Sequence, residues 1–351
     1  MVVVVCILNH HTGLRKKNMT IQKNKVRWGV LGYARIARES LIPAIQRSSN
    51  SEFHAIASRE ESKLAECRAR FNVPKTYRSY DELLRDPEVD AVYVPLPNSL
   101  HREWTIKAAE KGKHVLCEKP IALNAAECRE MIAACAANKV TLMEAFMYRY
   151  TDRTSKVLDV LKSGVLGEIK FVSSTFRFLL ANPASVKLKP ELGGGALYDV
   201  GCYPVNFIGM VVDEIVRNQS CKAESLLPES ISVECVRANS IDMIFSALMK
   251  YPSGLIASLN CGFNAQKRIF SEIIGAKGAL EIPDTFFDNA GALTLTVGEE
   301  RREIPVEQSD RYRLEVEDFA DAILKKCATH FSLVETQRNM EVMDKLFAAG
   351  K

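Results

Sequence analysis

Paired cysteines are missing from this chain. None of its ten cysteines stands at C-x-x-C spacing to another, so neither a zinc ribbon nor a thioredoxin-type redox pair is indicated. Thiols scattered through apolar segments behave as small buried hydrophobes, a pattern that fits a reducing cytosol better than a secreted disulfide framework. A cytoplasmic protein is therefore expected. Apolar runs of about 18 residues are also missing, so no membrane partner is expected. Nor is there an excess of one charge: 47 Lys and Arg stand against 43 Asp and Glu, a net +4. No basic stripe with interleaved aromatics occurs, which argues against nucleic acid. His101 and His114 have no neighbouring ligand set, so no metal site is suggested. Internal repeats and low-complexity segments are absent too.

What is present is enough chain for two cores: 351 residues exceed what one usually fills. Residues 1–25 begin apolar and turn basic, the reverse of a signal peptide's order. They are read as a loosely held extension, with Met19 as an alternative start. From Val26, short apolar strands alternate with helices: Val26–Leu31, a helix to about Arg47, Phe53–Ala57, Glu61–Phe71, Thr76–Tyr77, a brief helix capped by Asp81, Ala91–Val94, Leu100–Lys111, His114–Cys117, Ala125–Asn138 and Val140–Glu144. That grammar predicts βαβ units, a parallel sheet and right-handed crossovers. After Tyr150 it changes. One helix near Arg153–Ser163 precedes a series of strands joined by turns such as Tyr251–Gly254 and Gly275–Gly278, as in antiparallel hairpins. Helices at Arg311–Lys326 and Thr336–Ala349 end the chain. The fold class is thus α/β, a parallel-sheet domain over 26–147 followed by an α+β domain over 148–335 on a mostly antiparallel sheet, with a terminal helix over 336–351.

In Gly32-Tyr33-Ala34-Arg35-Ile36-Ala37 the glycine permits a tight strand-to-helix turn, and the small residues let backbone approach a pyrophosphate at the helix N-terminus. At the end of the second strand, the acidic residue that would bind a ribose hydroxyl is missing. Ser58 and Arg59 stand there, and a guanidinium with a hydroxyl suits a 2′-phosphate. NADP(H) is expected over NAD(H). The plain alternative is that Arg59 only covers the adenine face or points into solvent.

Two further segments carry chemistry. Cys117-Glu118-Lys119-Pro120 puts a lysine directly after a strand, and GGGALYDVGCY (Gly193–Tyr203) carries an aspartate and a tyrosine one helical turn apart. A lysine, an aspartate and a tyrosine brought together can move a proton on and off a hydroxyl. Working near pH 7, a phenol needs its pKa lowered by about three units, roughly 4 kcal/mol, and a nearby ammonium pushes that way. The plain readings are a solvated lysine in a turn, an aspartate that caps a helix, and a core tyrosine. The three glycines, Gly193–Gly195, read as allowing a loop to approach the substrate.

Taken with VPLPNSLH (Val94–His101) and EAFMYRY (Glu144–Tyr150), these motifs resemble the Gfo/Idh/MocA oxidoreductases, over roughly Val26 to Lys351. The late motif has Tyr203 where many members carry histidine, which is closer to the glucose–fructose oxidoreductase, dimeric dihydrodiol dehydrogenase and NADP-dependent xylose dehydrogenase branch. The resemblance implies a Rossmann domain, a large open C-terminal sheet that pairs into homodimers or homotetramers, and an active site between the domains. It implies an NADP(H)-dependent enzyme acting on a sugar or polyol hydroxyl or carbonyl; a trans-dihydrodiol or other carbonyl reductase, and a sensor that binds cofactor without turnover, stay open. The expected catalytic set is Lys119, Asp199 and Tyr203. Glu118 is expected near the nicotinamide ribose. Pro97, Asn98 and His101 complete the cofactor set, although His101 also reads as structural. Arg149 and Arg177 are candidate substrate contacts, with salt bridges as the alternative for each.

Overall fold

A computed structural model describes residues 25–219 and 226–350. The expected extension therefore lies, but for Lys25, outside the described residues, as does Cys221. The first domain runs β1 (Val26–Leu31), α1 (Ile42–Arg47), β2 (Ser51–Ala57), α2 (Glu61–Phe71), β3 (Lys75–Tyr77), α3 (Tyr80–Arg85), β4 (Ala91–Val94), α4 (His101–Glu110), β5 (His114–Glu118), α5 (Ala125–Ala137) and β6 (Leu142–Ala145). Its strands lie in the order β3-β2-β1-β4-β5-β6, every pair parallel. Every residue of β4 and β6 is buried, as expected for parallel strands covered by helices on both faces. Asp81 does not cap α3. Ser79 holds the N-cap position and Asp81 lies in the first turn, where its charge still meets the helix dipole.

The second domain begins with α6 (Asp152–Ser163) and β7 (Ile169–Leu179). Next comes α7 (Cys202–Gln219), a helix missing from the element series read off the sequence. Pro190–Arg217 is the one helical stretch, among the described residues, long and apolar enough to cross a membrane, and its most apolar window is 89% buried inside the protein. The sheet continues with β8 (Ser230–Ala238), β9 (Ile241–Lys250), β10 (Ile256–Gly262), β11 (Asn264–Gly275), β12 (Gly278–Pro283), β13 (Gly291–Val297) and β14 (Glu300–Val306). Its order is β14-β13-β12-β11-β7-β10-β9-β8; β7 and β10 are parallel and the other pairs antiparallel.

The last two helices return to the first domain. α8 (Arg311–Lys325) returns to the first sheet, where Phe319 packs on Trp28 with ring centroids 5.3 Å apart. Arg47 donates to both oxygens of Asp310 at 2.8 and 2.9 Å, fixing its N-terminus there. α9 (Leu333–Ala349) starts with a capping box between Ser332 and Glu335. It packs on α5 and β6 of the first domain and on α7 of the second. Both domains are thereby clamped by the chain's own end.

Candidate active site

A cleft of about 640 Å³ opens between the domains, lined from one side by Gly32–Ile36, Ser58, Arg59, Pro97, Asn98, Glu118 and Lys119, and from the other by Asp199 and Tyr203. Glu60, Lys63, Tyr80, Met147, Lys187 and Leu192 are among further lining residues that the sequence reading did not single out. Gly32 has φ +97, and a Cβ there would meet Leu96 at 3.3 Å and the Tyr80 hydroxyl at 3.4 Å. A left-handed turn that also approaches its neighbours this closely calls for glycine. Residues 35–47 then run as helix, widened by a π-turn at Ala37–Leu41, so the helix N-terminus opens onto the cleft with its anion-favouring amides.

At the far end of the cleft, the Ser58 hydroxyl accepts the Glu60 amide at 3.2 Å. The Glu60 carboxylate, unremarked in the sequence, is held by Lys63 at 2.6 Å. Arg59 is exposed and, among the described residues, makes no ion pair. A glycine turn, a helix N-terminus and a guanidinium without an ion pair at the second strand's end therefore fit the pyrophosphate and adenosine side of a dinucleotide.

The middle of the cleft is built by three segments. β5 ends at Glu118, whose carboxylate accepts from the Tyr93 hydroxyl and, at 3.3 Å, from the Lys119 amide; burial pushes this carboxyl up from its usual range. Behind the loop, Glu144 accepts the Ile121 amide at 3.0 Å, and burial raises its carboxyl to about 8. His101 is fully buried, with Nδ1 2.9 Å from the Pro120 carbonyl and Nε2 2.8 Å from that of Leu96. Its ring ties two cleft loops together from behind and does not line the cleft. The cofactor-contact expectation for His101 is corrected accordingly, to a structural role.

Asp199 lies in a π-turn at Leu197–Gly201 that leads into α7, and Tyr203 in the first turn of α7. Such wide turns are frequent where carbonyls are redirected at functional sites. The Asp199 main-chain carbonyl accepts from Lys119 Nζ at 2.7 Å, while its side-chain Oδ1 lies 3.7 Å from the same ammonium. Burial opposes that charge, but Tyr203, Asp199 and their neighbours outweigh it, so the ammonium's pKa stays well above its usual value. Asp199 does not cap the turn. Asp242, from β9, does so, accepting the Leu197 amide at 2.6 Å; burial raises this carboxyl to about 6.

Gly195 lets that aspartate in: its φ is +127, and a Cβ would stand 2.1 Å from Asp242 Oδ1. Gly195→Ala is therefore expected to destabilise the protein by about 3 kcal/mol, from backbone strain and collision together. Chemical denaturation would measure it, and a loss below about 0.5 kcal/mol would contradict the packing described.

Tyr203 is 4% exposed. Lys119 Nζ stands 4.7 Å from its ring centroid, a cation–π contact, and does not reach the hydroxyl. The hydroxyl instead meets Met147 Sδ at 3.5 Å, and Phe146, Phe176 and Phe286 surround the ring at 5.3–5.5 Å. Burial pushes the phenol well above 10, with Lys119 pulling only partly back. The sequence argument for a lowered phenol pKa is thus overturned: desolvation outweighs the ammonium, which lies over the ring face.

Two expected substrate contacts fall elsewhere. Arg149 is buried, donating to Glu335 at 3.0 Å and lying over Phe331. Arg177 sits in β7 beside Gly262, where a Cβ would come within 3.3 Å of its guanidinium. Neither lines the cleft. His54, Asp86 and Glu88 bring ligand atoms within 4.8 Å of one another, a cluster the sequence did not suggest. The Lys75 ammonium already binds both carboxylates there.

Fold and cleft together define a two-domain, nicotinamide-dependent oxidoreductase. Residues 26–146 match the oxidoreductase family with the NAD-binding Rossmann fold, and 154–281 match the GFO/IDH/MocA C-terminal domain. The chain belongs to the Gfo/Idh/MocA family. It is 33% identical to D-xylose 1-dehydrogenase (NADP(+)) 2 of Haloferax volcanii over 92% of its own length and 97% of that protein's. Against the trans-1,2-dihydrobenzene-1,2-diol dehydrogenase of Xenopus laevis it is 33% identical over 73% of its length and 75% of the relative's. Among solved structures it resembles KijD10, a 3-ketoreductase from Actinomadura kijaniata in complex with NADP and TDP-benzene. There the TM-score is 0.84 at 26% identity, covering 93% of this chain and 98% of the other.

Proposed function

We propose that this protein reduces or oxidises a single carbon of a sugar or polyol with NADP(H) in preference to NAD(H). The observation that carries the reading is the convergence of Lys119, Asp199 and Tyr203 on the cleft that the Gly32 turn also lines. The nicotinamide, when bound, supplies or accepts the hydride. Gly32–Ile36 would hold the pyrophosphate, Arg59 with Ser58 the 2′-phosphate, and Glu118 the nicotinamide ribose.

In the reducing direction the Tyr203 phenol, kept protonated by burial, donates its proton to the carbonyl oxygen as that oxygen gains charge. A thioether is a weak acceptor, so Met147 does little to hold that proton back. Lys119 stabilises the same oxygen electrostatically. Asp199 Oδ1 is placed to accept from a neighbouring substrate hydroxyl.

Turnover of aldoses, sugar phosphates, inositols and 1,5-anhydrofructose with both cofactors tests the reading. Cofactor binding without turnover of any of them would leave a sensor in its place. A trans-diol or more apolar carbonyl substrate is the second reading, favoured by Met147, Val186 and Leu192 at the cleft wall; adding such compounds to the panel separates the two. Arg59→Ala is expected to lower the NADP(H)/NAD(H) ratio of specificity constants about tenfold or more, because a charge-assisted phosphate contact is lost. An unchanged ratio would remove Arg59 from cofactor choice.

Val236 and Leu248 are exposed on β8 and β9, at 55% and 54%. Their apolar surface supports pairing of two copies through the C-terminal sheet. Light scattering of the purified protein would test this, and a monomer at micromolar concentration would refute it.

A further inference from the structure

Lys187 belongs to none of the motifs above. It lies on a strap, residues 180–195, that leaves β7 and crosses to the first domain. There Asn98 Nδ2 donates to the Gly193 carbonyl at 2.8 Å, and a Cβ on Gly193 would stand 2.5 Å from Leu123. The strap is ordered from within: Asn182 accepts the Ala184 amide at 2.9 Å, Ser185 the Lys187 amide at 3.3 Å, and the Lys187 carbonyl the Gly195 amide at 2.9 Å. Its ammonium lies 5.2 Å from the Phe178 ring centroid and donates to Asp199 Oδ2 at 2.6 Å. Asp199 Oδ1, among the described residues, accepts no hydrogen bond and lies 3.7 Å from Lys119 Nζ.

We propose that Lys187 is a positioning residue, holding one oxygen of Asp199 so that the other is presented to the substrate and to Lys119. This rests on the oxidoreductase reading above. The last torsion of an aspartate is broad and weakly held by itself. A charge-assisted bond at 2.6 Å, from an ammonium confined by Phe178 and its own main chain, removes that freedom. Misplacement of a reacting group by about an ångström costs on the order of a hundredfold in rate. The same strap lines the cleft through Val186, Lys187 and Leu192 and rests on the first domain at Asn98, so the residue that orients Asp199 is itself held in place by both domains.

Lys187→Met and Lys187→Arg, assayed beside the wild-type protein, test the proposal. The methionine variant is expected to lose about tenfold or more in kcat. It should bind NADPH within about twofold of wild type, because Gly32–Ile36, Ser58, Arg59 and Glu118, the residues assigned to the cofactor, are unchanged. With deuterated NADPH its isotope effect should rise, as the chemical step becomes slower than product release. Arginine, which reaches the same carboxylate oxygen with a charge, should restore most of the loss. Three outcomes overturn the proposal: an unchanged kcat, a rise confined to the substrate KM with the isotope effect unmoved, or equal losses in both variants. Wild-type protein that binds NADPH but turns over nothing would instead overturn the oxidoreductase reading, and this proposal with it.

Discussion

Replacing Tyr203 with phenylalanine is expected to lower turnover about a hundredfold or more while leaving NADP(H) binding nearly unchanged. The ring would keep its packing against Phe146, Phe176 and Phe286, and only the contact with Met147 Sδ at 3.5 Å would go. Stability should therefore change by less than about 0.5 kcal/mol, so lost turnover could not be ascribed to unfolding. Because burial holds the phenol in its protonated form, the effect should be plainest in carbonyl reduction, the direction in which the proposed role is to give a proton. Single-turnover oxidation of NADPH with a good substrate is the measurement. A Phe variant within threefold of wild type would leave the proton to another donor; that threefold is about 0.65 kcal/mol of barrier, too little for a lost general acid.

Lys119→Met should be at least as damaging, by about two to three orders of magnitude in kcat/KM. The ammonium is 14% exposed, bonded to the Asp199 carbonyl at 2.7 Å, and set over the Tyr203 ring. Removing it strips the positive potential from the place where an alkoxide would form or collapse. Lys119→Arg is not expected to rescue, since a planar fork cannot replace a compact point charge in so closed a space. That is the opposite of the expectation for Lys187, which is more open and bonds one carboxylate oxygen. Comparable activity in Lys119→Met and wild type would mean that charge at this position does not act on the reacting oxygen.

The parallel-sheet half was readable because its central strands are buried on both faces and so appear as apolar runs, as in Ala91–Val94 and Val115–Cys117. α7 was not read off the sequence: its apolar first half is interrupted by Asn206, a buried polar residue, and by Gly209, a poor helix former. Arg149 and Arg177 looked like substrate contacts because a cation close to a catalytic motif is suspicious in one dimension. Glu335, which neutralises Arg149, arrives from the far end of the chain. Lys187 went unnoticed for the converse reason. A lysine in a polar connection carries no signal until a carboxylate is found beside it.

The amino-acid order alone determined the alternation of strands and helices, the glycine turn at Gly32, and the chemical kinds of group delivered to the cleft. These depend on residues close together in the chain, through periodicity, turn chemistry and side-chain functional groups. Tertiary structure decided the rest: that Lys119 covers the ring of Tyr203 and leaves its hydroxyl to Met147, that Asp242 and not Asp199 caps the turn, and that the phenol's proton is held more tightly than in water. Desolvation and contact depend on which distant segments close over a group, and no local reading of the chain contains that information.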